Sequence, residues 1–337
     1  MVRMDKQGKA GKAMSRILIL SCGTRDLLVR YFKKSSFEKV VGADCSELAP
    51  ALYEADAHYL IPRMKDPGYF DAVFAICEKE KINVVLPLQE DELNLIAENR
   101  RRFEDRGILA VVSPVEVLNL CRDKYAFYKY MKGKGTAVLP TYDSISDFEK
   151  AFLDHEIEFP VFVKPVRGAG SIGAMKVTCM EVLKALFEHS EEPLLVQKLC
   201  EGREFGIDLY VDLISKRPVD FFAKEKLRMR AGETEKSVTS TDPILKEFVL
   251  RAVQNLAVAG PIDMDVFFQD GQYYLSEINP RFGGGFPHAY VSGMNTPEYI
   301  ARNAAGWENE SYLEIKRKKL YVLKYSDVMA IEAPLQS

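Results

Sequence analysis

The chain is short of the groups that soft-metal and thiol chemistry need. Its six cysteines (Cys22, Cys45, Cys77, Cys121, Cys179, Cys200) include no C-x-x-C pair, and its four histidines (His58, His155, His189, His288) form no cluster. That pattern excludes a zinc-finger type of site and reads as buried thiols in a reducing cytoplasm. No apolar run approaches the roughly 18 residues of a membrane span. The opening MVRMDKQGKAGKAM has no apolar signal core, so residues 1–14 are expected to be a disordered leader. Charge of one sign is also missing. The 46 Lys and Arg against 49 Asp and Glu leave a net charge of −3, with no basic excess to grip nucleic acid. G-x-x-x-x-G-K-[ST] does not occur, and SCGTRD offers only Gly23 where a dinucleotide fingerprint needs three glycines. Nor does any Ser–His or Cys–His arrangement supply a protein nucleophile.

What is present is an ordinary composition, 47% hydrophobic and 28% charged over 337 residues, enough for two or three domains with real cores. RILILSCG, FEKVVGADCS, KINVVLPLQ and ILAVVSP read as apolar strands. Between them RDLLVRYFKK, the stretch from Asp71 to Lys81, and DELNLIAENRRRFEDRG have helical spacing. This alternation predicts a parallel sheet covered on both faces, a doubly wound α/β domain over residues 15–118. Asp44, Gln89 and Glu90 fall at strand C-terminal ends, where such sheets bind ligands; helix capping explains them equally. From Asp123 the texture changes to strands, hairpins and single helices. That predicts an α+β domain over residues 119–310, with a glycine-loop subdomain at about 125–198 and an extension over 311–337.

Three stretches of this second domain carry chemistry. In FVKPVRGAGSIGAMKV, Lys164 ends a strand and precedes a loop with Gly168, Gly170, Ser171 and Gly173. Exposed backbone N–H groups beside a lysine can fold over phosphates, although a plain surface hairpin has the same spelling. In LLVQKLCEGREF a strand breaks at Gln197, Lys198 and Leu199, with Glu204 following. Freed backbone groups there can read an adenine edge and the carboxylate can take ribose hydroxyls, or these are exposed turn residues. In DMDVFFQDGQYYLSEINPRFGGGF a DG turn joins two strands that bring Asp265, Glu277 and Asn279 together. Oxygen donors on one face, with Arg281 just beyond, suit a magnesium-bound polyphosphate; a solvent-facing strand is the alternative.

Taken in order, DK, FPVFVKP with its glycine loop, VQKL with GRE, MD and EINPR resemble the ATP-grasp enzymes. The likeness is closest to the ATP-binding half-domain of the carbamoyl phosphate synthetase large chain and to stand-alone carboxylate–amine ligases, over residues 15–310. It implies a Rossmann-like pre-ATP-grasp domain followed by the ATP-grasp domain. It further implies that Lys124 and Lys164 touch ATP phosphates and that Gly168 to Gly173 form a mobile lid. Gln197, Lys198 and Leu199 would make the adenine hinge, and Glu204 would hold the ribose. Asp265, Glu277 and Asn279 would hold magnesium or manganese, with Lys164, Asn279 and Arg281 at the transferring phosphoryl. Gly284 and Gly285, within Gly283–Gly285, would leave room for a substrate carboxylate. Alternating Lys224, Lys226, Arg228 and Arg230 would share one strand face and offer a second carboxylate site, or simply protect an edge strand.

The implied activity is an ADP-forming carboxylate–amine ligase that works through an acyl phosphate. Its partners are small-molecule acids and amines, not nucleic acid or membrane, and a homodimer is compatible with these features. The alternative is a single-unit subunit like carbamoyl phosphate synthetase, phosphorylating bicarbonate or carbamate.

Overall fold

The computed structural model describes residues 15–168, 173–314 and 318–331. The leader at 1–14, and with it the expectation of disorder there, lies outside the described residues.

The first layer is a parallel sheet of β1 (Arg16–Leu20), β2 (Lys39–Asp44), β3 (Ala57–Leu60), β4 (Val84–Pro87) and β5 (Leu109–Ala110), in the order β3-β2-β1-β4-β5. It is covered by α1 (Asp26–Lys33), α2 (Tyr69–Glu80), α3 (Glu90–Glu98) and α4 (Arg100–Glu104). The strands are continuous apolar runs because both faces are buried: Ile17 and Ile19 pack into one core, Leu18 and Leu20 into another. Sequence patterning found four strands and missed β3, whose AHYL carries two polar-tipped aromatics and is only half-buried. DELNLIAENRRRFEDRG is two helices rather than one. Asn99 donates from Nδ2 to the Leu95 carbonyl at 2.9 Å and closes α3 before α4 begins.

Two further helices, α5 (Val115–Arg122) and α6 (Lys124–Gly133), lead away from that sheet; Asp123 caps α6 by accepting from the Ala126 N–H at 2.9 Å. Beyond them lie β6 (Thr141–Tyr142), α7 (Ile145–Leu153), β7 (Val161–Pro165), β8 (Met175–Val177), α8 (Met180–His189) and β9 (Leu194–Lys198). The strands form an antiparallel sheet, β6-β9-β7-β8, with its own small core around Phe148, Val161 and Val196.

The third sheet is the largest. It contains β10 (Arg203–Val211), β11 (Pro218–Arg230), β12 (Glu233–Ser240), β13 (Gly260–Gln269), β14 (Gln272–Asn279) and β15 (Tyr321–Leu323), in the antiparallel order β14-β13-β10-β11-β12-β15. Helices α9 (Pro243–Gln254), α10 (Phe286–Val291) and α11 (Thr296–Ala304) accompany it. Between β13 and β14 both turn residues, Asp270 and Gly271, have positive φ (53° and 79°), as a tight two-residue hairpin demands. The architecture is thus a doubly wound α/β sheet followed by an α+β unit of two antiparallel sheets.

An aromatic seam ties the first layer to the last. Tyr31 of α1 stacks on Tyr290 of α10 at 3.7 Å between ring centroids, and Phe32 meets Phe282 edge-on at 5.9 Å. Phe282 and Phe286 bracket the three glycines, so the segment after β14 is pinned against the parallel sheet at both ends.

Candidate active site

Side chains alternate across a strand, and four neighbouring strands of the six-stranded sheet use that alternation to turn charge toward one face. Strand β14 presents Glu277 and Asn279, β13 presents Asp263 and Asp265, β10 presents Glu204 and Asp208, and β11 presents Lys224 and Lys226. The register sets Asp265 opposite Glu277 and Asp263 opposite Asn279. Five carboxylates thus meet three cations, Lys224, Lys226 and the Arg281 that follows β14. The face is left with an excess of two negative charges.

Each cation is already committed. Lys224 sits 2.6 Å from Asp208, both side chains buried. Lys226 lies 2.6 Å from Asp265 and 2.7 Å from Glu204. Arg281 reaches Asp263 at 3.1 Å and Glu90 at 3.3 Å. Burial alone would lower the Arg281 pKa, but Asp263 and Glu90 more than offset it and raise the value.

This face forms the floor of a cavity of about 640 Å³ whose opposite wall is the four-stranded sheet. From that wall Lys164, at the end of β7, donates to the Gln197 side chain at 3.1 Å, and Gln197 donates onward to Thr141 at 2.9 Å. Burial lowers the Lys164 pKa, and the nearby Glu277 charge acts against that. Lys124, the first residue of α6, donates to the Gly168 carbonyl at 2.6 Å. The parallel sheet closes the remaining side with Arg25 and Glu90, which follow β1 and β4. Those adjacent strands flank the point where the strand order reverses, where open α/β sheets present ligand-binding loops.

Of the residues singled out from sequence, Lys124, Lys164, Gly168, Gln197, Lys198, Leu199, Glu204, Asp265, Glu277, Asn279, Arg281, Gly284 and Gly285 all line this one cavity. Gly173 packs beside Pro165 next to it, while Gly170 and Ser171 lie outside the described residues. Arg228 and Arg230 do not line it: both are largely exposed and pair with Glu235. The expected shared face breaks because the β11–β12 register shifts between Lys226 and Arg228 and again between Arg228 and Met229. A bulge reverses which side chains face inward, so Met229 lines the cavity instead. Asp44 is also elsewhere, accepting from the Gly23 and Ser46 N–H groups at 2.8 and 2.9 Å as a turn brace. At the expected hinge, the Lys198 N–H already donates to the Pro140 carbonyl at 2.9 Å. The thiols are not uniformly buried either, since Cys45 is exposed and Cys121, Cys179 and Cys200 are half-buried.

The three glycines have a reason that sequence alone did not reveal. A Cβ on Gly283 would overlap the Asp263 carboxylate, and one on Gly284 would overlap Glu233. A Cβ on Gly285 would come within 2.8 Å of the Lys224 stem. Close approach to charged groups, not an unusual φ, favours glycine here, most firmly at Gly283 against the short Asp263 side chain. Glu233 itself pairs with Arg25 at 3.2 Å and with Lys324 beyond β15.

Sequence reasoning missed Asp263, Arg25 and Glu233. Asp263 was visible as the other aspartate of DMD, two residues from Asp265 and therefore on the same face. Arg25 stood in the turn after the first strand. Glu233 carried no sequence signal.

Among the described residues no group of three or more acidic, His or Cys side chains stands ready as a metal cluster. The donors on offer, two facing carboxylates and an amide oxygen, are hard oxygens in a face two charges too negative. That suits a divalent ion that draws its other ligands from water or phosphate. No described helix is long and apolar enough to cross a membrane.

Two family models match the chain: a PylC-like N-terminal domain over residues 17–112 and an ATP-grasp domain over residues 121–285. The carbamoyl phosphate synthase large chain of Thermoplasma acidophilum is 25% identical over 280 residues, covering 77% of this chain and 26% of that protein. This chain therefore spans about a quarter of that relative's length. The D-alanine--D-alanine ligase of Thermotoga sp. (strain RQ2) is 28% identical over 225 residues, 60% of this chain and 68% of that one. Among solved structures, N5-carboxyaminoimidazole synthetase from Staphylococcus aureus complexed with ADP superposes with a TM-score of 0.71 at 18% identity, covering 88% of this chain and 79% of that one. This likeness is one of fold. The chain carries an ATP-grasp domain behind a PylC-like N-terminal domain.

Proposed function

We propose that the cavity binds magnesium–ATP and that the chain is an ADP-forming ligase joining a carboxylate to an amine. One observation carries this reading: Lys164 and Lys124 face the paired carboxylates of Asp265 and Glu277, with Asn279 and Arg281, across one cavity. The matched relatives support the class, since one is named as a ligase and another as a synthase. The solved synthetase of the same fold holds ADP.

In this reading Lys124 and Lys164 neutralise phosphate oxygens, and Gly168 to Gly173 close over them to keep water out. The segment at Gln197, Lys198 and Leu199 takes the base, and Glu204 takes the ribose. Asp265, Glu277 and Asn279 hold the divalent ion, which when bound supplies charge neutralisation between the phosphates. Arg281 presents its planar fork to the transferring phosphoryl group. The substrate carboxylate attacks the γ-phosphorus in line, ADP leaves, and an amine then displaces phosphate from the acyl phosphate. The chain's residues bind, orient and exclude water, and none is consumed as a nucleophile.

The test is phosphate release from ATP across a panel of carboxylic acids, each paired with amines, with bicarbonate plus ammonia included. Acid-dependent release is expected, and it should disappear in Glu277→Gln. That variant keeps a carbonyl for the Asn279 amide, now 3.0 Å away, and so spares the fold. Calorimetric ADP affinity should weaken only modestly. Equal loss of ADP binding and turnover would contradict the ligand role of Glu277. Turnover with bicarbonate alone would favour the carbamoyl-phosphate-type alternative.

A further inference from the structure

The four-strand charged face contains a cation that the proposed reaction does not use. Lys226 enters from β11 with its side chain 7% exposed, and its ammonium lies between Asp265 at 2.6 Å and Glu204 at 2.7 Å. Asp265 stands opposite Glu277 in the β13–β14 register, so two carboxylates confront each other at the position assigned to the divalent ion. With nothing between them, like charges at a directly paired position oppose folding. Lys226 relieves that repulsion from the side. The local backbone also leaves its stem room. Gly206 is a glycine in mid-strand, a position that normally weakens a sheet. A Cβ there would sit 3.2 Å from the Cε of both Lys224 and Lys226. Glycine therefore keeps open the slot in which the two lysine stems lie.

We propose that Lys226 is the chain's own stand-in for the divalent cation. In the nucleotide-free protein its ammonium neutralises Asp265, and on loading it gives up Asp265 while keeping its contact with Glu204. Lys226 is then a positioning residue that holds the carboxylates in place between turnovers and competes with free metal. It makes occupancy depend on metal and nucleotide arriving together, because the ion alone must displace a bound ammonium. This inference rests on Asp265 being a metal ligand, as the proposed function has it.

The test uses Mn2+ as the probe and the full chain without nucleotide, with affinity read by electron paramagnetic resonance titration. Lys226→Met and Lys226→Gln should each bind Mn2+ at least tenfold more tightly than the unaltered protein, whereas Lys226→Arg should stay within about twofold of it. The glutamine retains hydrogen bonding to Glu204 and serves if the methionine variant folds poorly. Added Mn2+ should also raise the melting temperature of the neutral variants more than that of the parent. A purely structural ion pair would lower stability without tightening Mn2+ binding, and unchanged or weaker affinity in both neutral variants overturns the inference. If the parent binds no Mn2+ even with ADP present, the metal reading of Asp265 fails first, and this proposal with it.

Discussion

Lys224→Met is the sharpest probe of the energetics beneath the cavity. The lysine and Asp208 are 1% and 4% exposed and 2.6 Å apart. Methionine keeps most of the stem volume and removes only the charge. Burial already pushes the Asp208 carboxyl up, and the Lys224 charge is the main force pulling it back. Without that charge the folded protein must bury a lone carboxylate or protonate it. Protonating an aspartate of ordinary pKa near 3.9 costs about 4 kcal/mol at pH 7, which caps the penalty. Breaking a buried pair by removing one partner costs about 3–5 kcal/mol, in the same range. The sign with pH follows. In the variant Asp208 has a folded pKa above its unfolded one, so the penalty is absent below about pH 4. It then grows by about 1.4 kcal/mol per pH unit as pH rises toward the folded value. Urea unfolding followed by the single tryptophan, Trp307, at several pH values measures the difference from the parent protein. Adding Asp208→Asn should recover most of the loss, since the amide carries no charge. A penalty under about 1 kcal/mol at pH 7, or one that does not change with pH, would refute a buried, mutually dependent pair.

Other expectations are briefer. Gly284→Ala should push the Glu233 carboxylate off Arg25 and Lys324; because that flexible side chain is a third exposed, stability should fall by no more than about 1 kcal/mol while acid-dependent turnover drops. Gly271→Ala, at φ 79° in open space, should cost about 1 kcal/mol and leave turnover alone. Burial, then the charges of Lys224 and Lys324, hold His288 down to about 4. Because the unfolded histidine takes up its proton near pH 6.5, stability should fall as pH drops from there toward 4, by about 3 kcal/mol in total. His288→Gln should flatten that part of the pH–stability curve.

Most of the site was legible because its chemistry is written in local spellings. Glu277 and Asn279 are two residues apart in a strand, Lys164 ends one, and the DG turn fixes how the hairpin folds back. Each of these needs only the period of a β-strand and the conformational demand of a turn. What could not be read depends on registers between strands far apart in sequence. Nothing in KEKLRMR announces a bulge, since a bulge is set by the partner strand, and it alone decides whether Arg228 or Met229 points inward. The glycine triplet is a similar case. Its spelling reads as room for a substrate carboxylate, yet the groups that crowd it are Asp263, Glu233 and Lys224, which arrive from three different strands.

The same distinction explains why the cavity draws on both domains. Arg25 and Glu90 look like turn and helix-start residues in isolation, and only the β3-β2-β1-β4-β5 order brings their two loops together. The aromatic seam of Tyr31, Phe32, Phe282, Phe286 and Tyr290 then holds Arg281 within reach of Glu90. A carboxylate from the parallel sheet thereby orients the arginine that follows β14. Weakening the seam should therefore loosen Arg281 before it disturbs Asp265 or Glu277. Those two are fixed by strand pairing within the antiparallel sheet, and the arginine is not.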